Sequence, residues 1–183
     1  MAKMSDSSVH SSRRTLLKQG AAVCAVLVSG SLSYMTPRAA HAAGASLQVL
    51  SDAQANALGL IGEQLVPGAR AAGLVEYVDS QLAANDQSLL MLKYLGVDWR
   101  QHRGFYGAIL DSLAQYLTRP DAKVDQLASL MATDAIEDWA GPPASFGYFV
   151  LRSDAIDVRW GNEAGFAELD IPYSAHIVPA GRW

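Results

Sequence analysis

One cysteine in 183 residues, Cys24, leaves the rest of the chain without thiols. A disulfide framework, an iron–sulfur cluster, a covalently attached c-type haem and a zinc–thiolate site are thereby excluded from everything after it. Positive charge is also scarce: residues 43–183 carry 9 Lys or Arg against 17 Asp or Glu. A surface of that sign suits neither nucleic acid nor charge-driven docking on anionic lipid. Histidine is sparse too, with only His102 and His176 beyond residue 42. Arg100 and Arg103 flank His102 and disfavour a bound cation, so a solvated or interface histidine is expected there rather than a metal ligand. No glycine-rich dinucleotide fingerprint follows a strand, since Gly59 and Gly62 fall inside a helical stripe, and there is neither a P-loop nor a Gly-x-Ser-x-Gly elbow. Bound flavin, nicotinamide or metal is therefore not expected in this chain alone, and catalysis by it alone is a minority reading.

What the chain does have begins with an address. The first 42 residues hold Lys3, Arg13, Arg14, Lys18 and Arg38 against one acid, Asp6. Ser12-Arg13-Arg14-Thr15-Leu16-Leu17-Lys18 resembles the twin-arginine export signature, with Leu16 where phenylalanine is commoner. A weakly apolar run from Gly20 to Met35 follows, diluted by Ser29, Gly30, Ser31 and Ser33. It falls short of the roughly 20 apolar residues of a comfortable membrane span. Ala40-His41-Ala42 supplies the small-x-small pattern of a signal-peptidase site. The expected organisation is a signal peptide over 1–42 and one domain over 43–183. The implied location is the periplasm, reached through the twin-arginine translocase, which moves proteins already folded.

Beyond Ser51 the apolar spacing is helical. Ser51 with Gln54 forms a capping box that opens a helix with its stripe at Leu58, Ile61 and Leu65, ending near Val66-Pro67-Gly68. Leu74, Val75, Val78 and Leu82 mark a second helix, and Leu89, Leu92 and Leu95 a short third stopped by Gly96. Asp98 and Gln101 suggest another capping box, opening the longest helix from Trp99 to Leu117. Val124 through Trp139 reads as a fifth helix and Phe146 through Trp160 as a sixth. An irregular tail follows, with Pro172, Pro179 and several glycines. The fold expected is all-α: a single compact domain of about six helices with an irregular C-terminal tail.

Two charge patterns invite chemistry. Asp134, Glu137 and Asp138 at i, i+3 and i+4 place three carboxylates on one helical face, which is expected to be solvated. Arg152, Asp154, Asp157 and Arg159 alternate in sign, a spacing that suits surface or interface salt bridges. The tail combines aromatics and arginine without a period. Trp160, Tyr173, Arg182 and Trp183 are its candidate anchors for a partner, because Trp, Tyr and Arg dominate interface energetics.

These features together resemble the gluconate 2-dehydrogenase subunit 3 family, the small subunits of membrane-associated flavin dehydrogenases. The resemblance rests on Leu50-Ser51-Asp52-Ala53-Gln54, on Glu63-Gln64-Leu65-Val66-Pro67-Gly68, and on Ala71-Ala72-Gly73-Leu74-Val75-Glu76-Tyr77-Val78-Asp79-Ser80-Gln81-Leu82. Arg152-Ser153-Asp154-Ala155-Ile156-Asp157, Trp160-Gly161 and Pro172-Tyr173 extend it. Many members carry a Gly-Asn-rich stretch of which this sequence keeps only Trp160-Gly161-Asn162. The resemblance implies a non-catalytic subunit whose partner is a large FAD-dependent oxidoreductase of the glucose–methanol–choline type. In many such complexes a multihaem cytochrome c joins them and passes electrons to the membrane quinone pool. The FAD and the haem c would then belong to partners, and the large subunit would cross the membrane folded, carried by this chain's leader. The competing reading is an autonomous periplasmic helical protein, either a ligand-binding module or an enzyme.

Overall fold

The computed structural model describes residues 23–172, so Ser12, Arg13, Arg14, Leu16, Leu17 and Lys18, and at the other end Tyr173, Arg182 and Trp183, lie outside the described residues. What it describes is mostly helical, with one departure from an all-α fold. β1 (Cys24–Val28) and β2 (Ser31–Met35) pair antiparallel, Cys24 opposite Met35 and Val28 opposite Ser31. The two residues between them, Ser29 and Gly30, both have positive φ, the backbone of the tight hairpin turn that matches strand twist. This hairpin occupies the stretch that sequence reading assigns to the apolar part of a leader. Alternation buries Cys24 and Val26 and leaves Leu32 and Tyr34 exposed. α1 (Pro37–Ala42) follows, with Thr36 as its N-cap and proline at its first position.

α2 (Asp52–Leu65) opens on the expected capping box: the Ser51 hydroxyl accepts from Gln54 N at 3.3 Å, and Gln54 Oε1 accepts from Ser51 N at 2.9 Å. Past its end, Glu63 accepts from the amides of Gly68 at 2.8 Å and Arg70 at 3.3 Å, so one side chain satisfies the turn that Pro67 forces. α3 (Leu74–Ala83) starts from Gly73 in the left-handed region. A Cβ on Gly62 would overlap the Leu74 side chain, so glycine lets these two helices approach closely. α4 (Met91–Tyr94) is a single turn, and Gly96 beyond it has φ 77°.

α5 (Trp99–Leu117) is the longest helix and packs on α2. Its cap is Asp98, which accepts from Arg100 N at 2.9 Å, so the pairing with Gln101 expected from spacing gives way to Arg100. Open space surrounds Gly104 and Gly107, and neither serves a close helix crossing. The predicted fifth helix is cut short. After a 3-10 turn (Val124–Gln126), α6 covers only Leu127–Ala132. Asp134 and Asp138 then adopt positive φ, 52° and 56°, which an α-helix cannot accommodate. The three carboxylates expected on one helical face therefore sit on a looped segment. α7 (Ala144–Trp160) runs along α6 and contacts α2, α3 and α4. Its amide at Ser145 is satisfied by Asp134 Oδ1 at 2.8 Å, and hydrogen bonding from the Ser145 side chain together with this amide holds the Asp134 carboxyl below its usual range.

The tail contains one further helix, α8 (Glu163–Glu168), which sequence reading leaves irregular. Asn162 caps it by accepting from Gly165 N at 3.0 Å, and it folds back on α7. One apolar core joins these elements, built around Leu58, Ile61, Leu74, Val78, Ile109, Leu113, Leu127, Met131, Val150 and Leu151. Cys24, Val26 and Ala40 belong to the same core, so the hairpin and α1 are packed into the domain.

Candidate functional site

Three buried polar side chains converge on the short segment that carries α4. From α3, Gln81 Oε1 accepts from Leu89 N at 2.7 Å, and the Tyr77 hydroxyl donates to Leu89 O at 3.3 Å. From α7, Asp154 Oδ1 accepts from Met91 N at 2.8 Å, and its other oxygen accepts from the Tyr106 hydroxyl of α5. Residues 89–91 are thus fixed from two helices, α3 and α7, with Tyr106 of α5 holding Asp154 in turn. Satisfied buried networks of this kind rigidify what they hold.

Asp154 sits deep within this network, 1% exposed. Burial pushes its carboxyl up to about 7, against the lowering effect of the Tyr106 hydroxyl and the Met91 amide. Burial beside the Asp154 carboxylate also raises the Tyr106 hydroxyl well above its ordinary value. Sequence reading places Asp154 in a surface salt-bridge pattern, and the structure corrects this. Arg159 turns instead to Glu168, and Asp154 lies on the inward stripe of α7 with Leu151, Ala155 and Val158. That i, i+3, i+4, i+7 spacing was the available signal.

The pinned segment presents apolar side chains to solvent. Tyr94 is 67% exposed, and Leu89 and Leu95 are exposed beside it. On α7, Phe146 and Phe149 are exposed too, and the Phe146 ring stands edge-on to Phe105 of α5 at 5.3 Å between centroids. Exposed apolar side chains at fixed positions are available for contact with another molecule. Their exposure departs from the sequence expectation, in which the spacing of Leu89 and Leu95 puts both on a helix's inward stripe.

The anchors expected in the tail fare differently. Trp160 is half-buried, packs on the core and carries the Arg159 guanidinium 4.0 Å from its ring centroid. Tyr173, Arg182 and Trp183 lie outside the described residues. Ala40 and Ala42, the expected cleavage pattern, lie in α1 with Ala40 fully buried. His102 is buried rather than solvated: one ring nitrogen faces Val97 O at 3.1 Å and the other has no partner among the described residues.

A depression of about 310 Å³ lies where the end of α5 meets the loop after α6, lined by Tyr116, Arg119, Glu137, Asp138 and Trp139 among others. Arg119 directs its guanidinium to Asp121 at 3.4 Å and to Glu137 and Asp138, each at 3.7 Å. These contacts tie the loop to the helix, and the acids are wide open to water, where such pairs contribute little. Among the described residues no group of three or more His, Cys, Asp or Glu is placed to hold a metal ion. None of their helices is long and apolar enough to cross a membrane. No protein-family model, curated protein or solved structure matches the chain.

Proposed function

We propose that this chain is the non-catalytic small subunit of a periplasmic flavin-dependent dehydrogenase acting on a sugar or sugar acid, and that it supports folding, stability and twin-arginine export of the catalytic subunit. The observation that carries the reading is the exposure of Leu89, Tyr94 and Leu95 on and beside a segment fixed by Gln81, Tyr77 and Asp154, together with that of Phe146 and Phe149 on α7. Such a set fits a permanent partner better than a freely soluble monomer. Two features of the sequence support it. The Ser12 to Lys18 pattern is an address for folded cargo, and the run from Leu50 to Leu82 resembles the small-subunit family. In this reading the FAD sits in the large subunit, haem c in a cytochrome where one is present, and the complex is tied to the cytoplasmic membrane through those partners.

Replacing both Arg13 and Arg14 by lysine tests the carrier role, because the charge is kept while the motif is lost. The expected outcome is that this chain and its flavoprotein both stay in the cytoplasm, followed by fractionation and immunoblotting. Normal arrival of the flavoprotein in the periplasm would overturn it.

A further inference from the structure

Residues 24–42 lie upstream of the expected cleavage point and are nevertheless built into the domain. Cys24, Val26 and Ala40 are at most 2% exposed. Both β1 and α1 pack on α3. The Pro37 carbonyl sits directly against Gly73, where any Cβ would overlap it. Glu76, on the same helix, accepts from or pairs with His41 Nδ1 at 2.9 Å through one oxygen. Its other oxygen is buried with no partner among the described residues. Further ties reach the rest of the chain: Gln48 Nε2 donates to Ala25 O at 2.9 Å, and Ser46 N to Leu27 O at 2.9 Å.

Cleavage after Ala42 would take this whole cover away. The strip left on α3 would then have a bare glycine backbone at Gly73, small apolar places vacated by Cys24, Val26 and Ala40, and an acid, Glu76, with no basic partner. In the docked state the cleavage pattern is also helical with Ala40 buried, whereas proteolysis needs accessible, locally open chain. Processing therefore has to wait for undocking.

We propose that residues 24–42 are a removable cover over the Gly73–Glu76 strip at the start of α3, and that the occupant replacing them is an extended segment of the flavoprotein subunit. That segment would place a backbone carbonyl at Gly73, small apolar side chains in the places of Cys24 and Val26, and a basic side chain at Glu76. This rests on the carrier reading above and adds to it an order of events: the partner docks, the cover leaves, and only then is the leader cut.

The chain's single thiol is a built-in reporter, since Cys24 has a buried side chain and burial pushes its thiol up to about 12. The experiment uses the full chain carrying Arg13→Lys and Arg14→Lys, which retains its leader, and follows alkylation of Cys24 by a maleimide, first alone and then in complex with the co-expressed flavoprotein. Alone, labelling should be slower than in urea by roughly 100-fold or more, because only local opening exposes a buried thiol. Added Val26→Asp should release most of that protection while helical circular dichroism stays. In the complex, labelling should approach the rate of that variant. Rapid labelling of the free chain, loss of helix with Val26→Asp, or a complex in which Cys24 stays protected would each overturn the cover. Failure to form any complex would instead overturn the carrier reading on which it rests.

Discussion

Asp79→Ala should cost about 3–5 kcal/mol of folding stability, a large share of the ~5–15 kcal/mol available to a domain. Asp79 is 2% exposed and accepts three backbone amides: Gln48 on one oxygen, Val49 and Leu50 on the other, all at 2.8 Å. Those donors belong to the bend just before the α2 cap at Ser51, which has no helix or ladder to pair with. Alanine removes the acceptor and leaves three amides partly or wholly cut off from water, and unmet donors cost more than a hydrogen bond gains. Asp79→Asn keeps one acceptor oxygen, and its amide faces a donor, so it should lose about half as much. Urea unfolding measures both. An alanine variant within about 1 kcal/mol of the parent, the ordinary value of one neutral bond, would contradict the reading of Asp79 as the tether of this segment.

Asp154→Asn should remove most of a pH dependence that the parent chain shows in the unusual direction. A carboxyl whose folded value lies at about 7, above its ordinary 3.8, binds its proton more tightly folded than unfolded. Between those values the native state holds a proton that the unfolded state has lost, so stability falls as pH rises through the window and is flat above it. The slope reaches about 1.4 kcal/mol per pH unit and the whole window amounts to on the order of 4 kcal/mol. Asp98, Asp134 and Glu168 work the other way, since hydrogen bonds or arginine hold them below their ordinary values. Their contribution is lost only as pH falls further into the acid range, whereas Asp157 on the same helix as Asp154 is also raised by burial and adds to the decline in the same direction. Asparagine is nearly isosteric and never charged. Its oxygen can still accept from Met91 N or Tyr106, so the variant should match or exceed the parent above pH 7 and show a clearly shallower decline from pH 5 to 7, the remainder belonging to Asp157. Melting temperatures at half-unit pH steps measure this, and parallel curves for the two proteins would contradict it.

Helix positions were legible where local chemistry is strong. The Ser51–Gln54 box, the Val66-Pro67 stop, the Gly73 start and the Gly96 stop all appear in the structure as read. The misreadings have physical causes. Against the all-α expectation, residues 24–35 carry a turn dipeptide, Ser29-Gly30, between two short apolar runs, which is a hairpin signal. Residues 133–139 keep a helical spacing of charge, but Asp134 is taken up by the α7 cap, and its left-handed backbone ends α6. Periodicity alone cannot see a side chain recruited by a different helix. α8 depends on one cap from Asn162 in a glycine-rich stretch that offers little period. Of the site, the inward position of Asp154 was readable from its stripe. The convergence of Tyr77, Gln81, Tyr106 and Asp154 was not, because it joins residues up to 63 positions apart.

The central claim is that this chain exists to hold and deliver a flavoprotein. Its most direct test is purification of the exported chain through an affinity tag placed after Trp183, under conditions that keep complexes together. The account predicts that a large subunit lacking its own export signal co-purifies with it. Flavin absorbance should follow that large subunit when the two are separated and leave this chain colourless. Recovery of the tagged chain alone, or of flavin bound stoichiometrically to it after separation, would contradict the account.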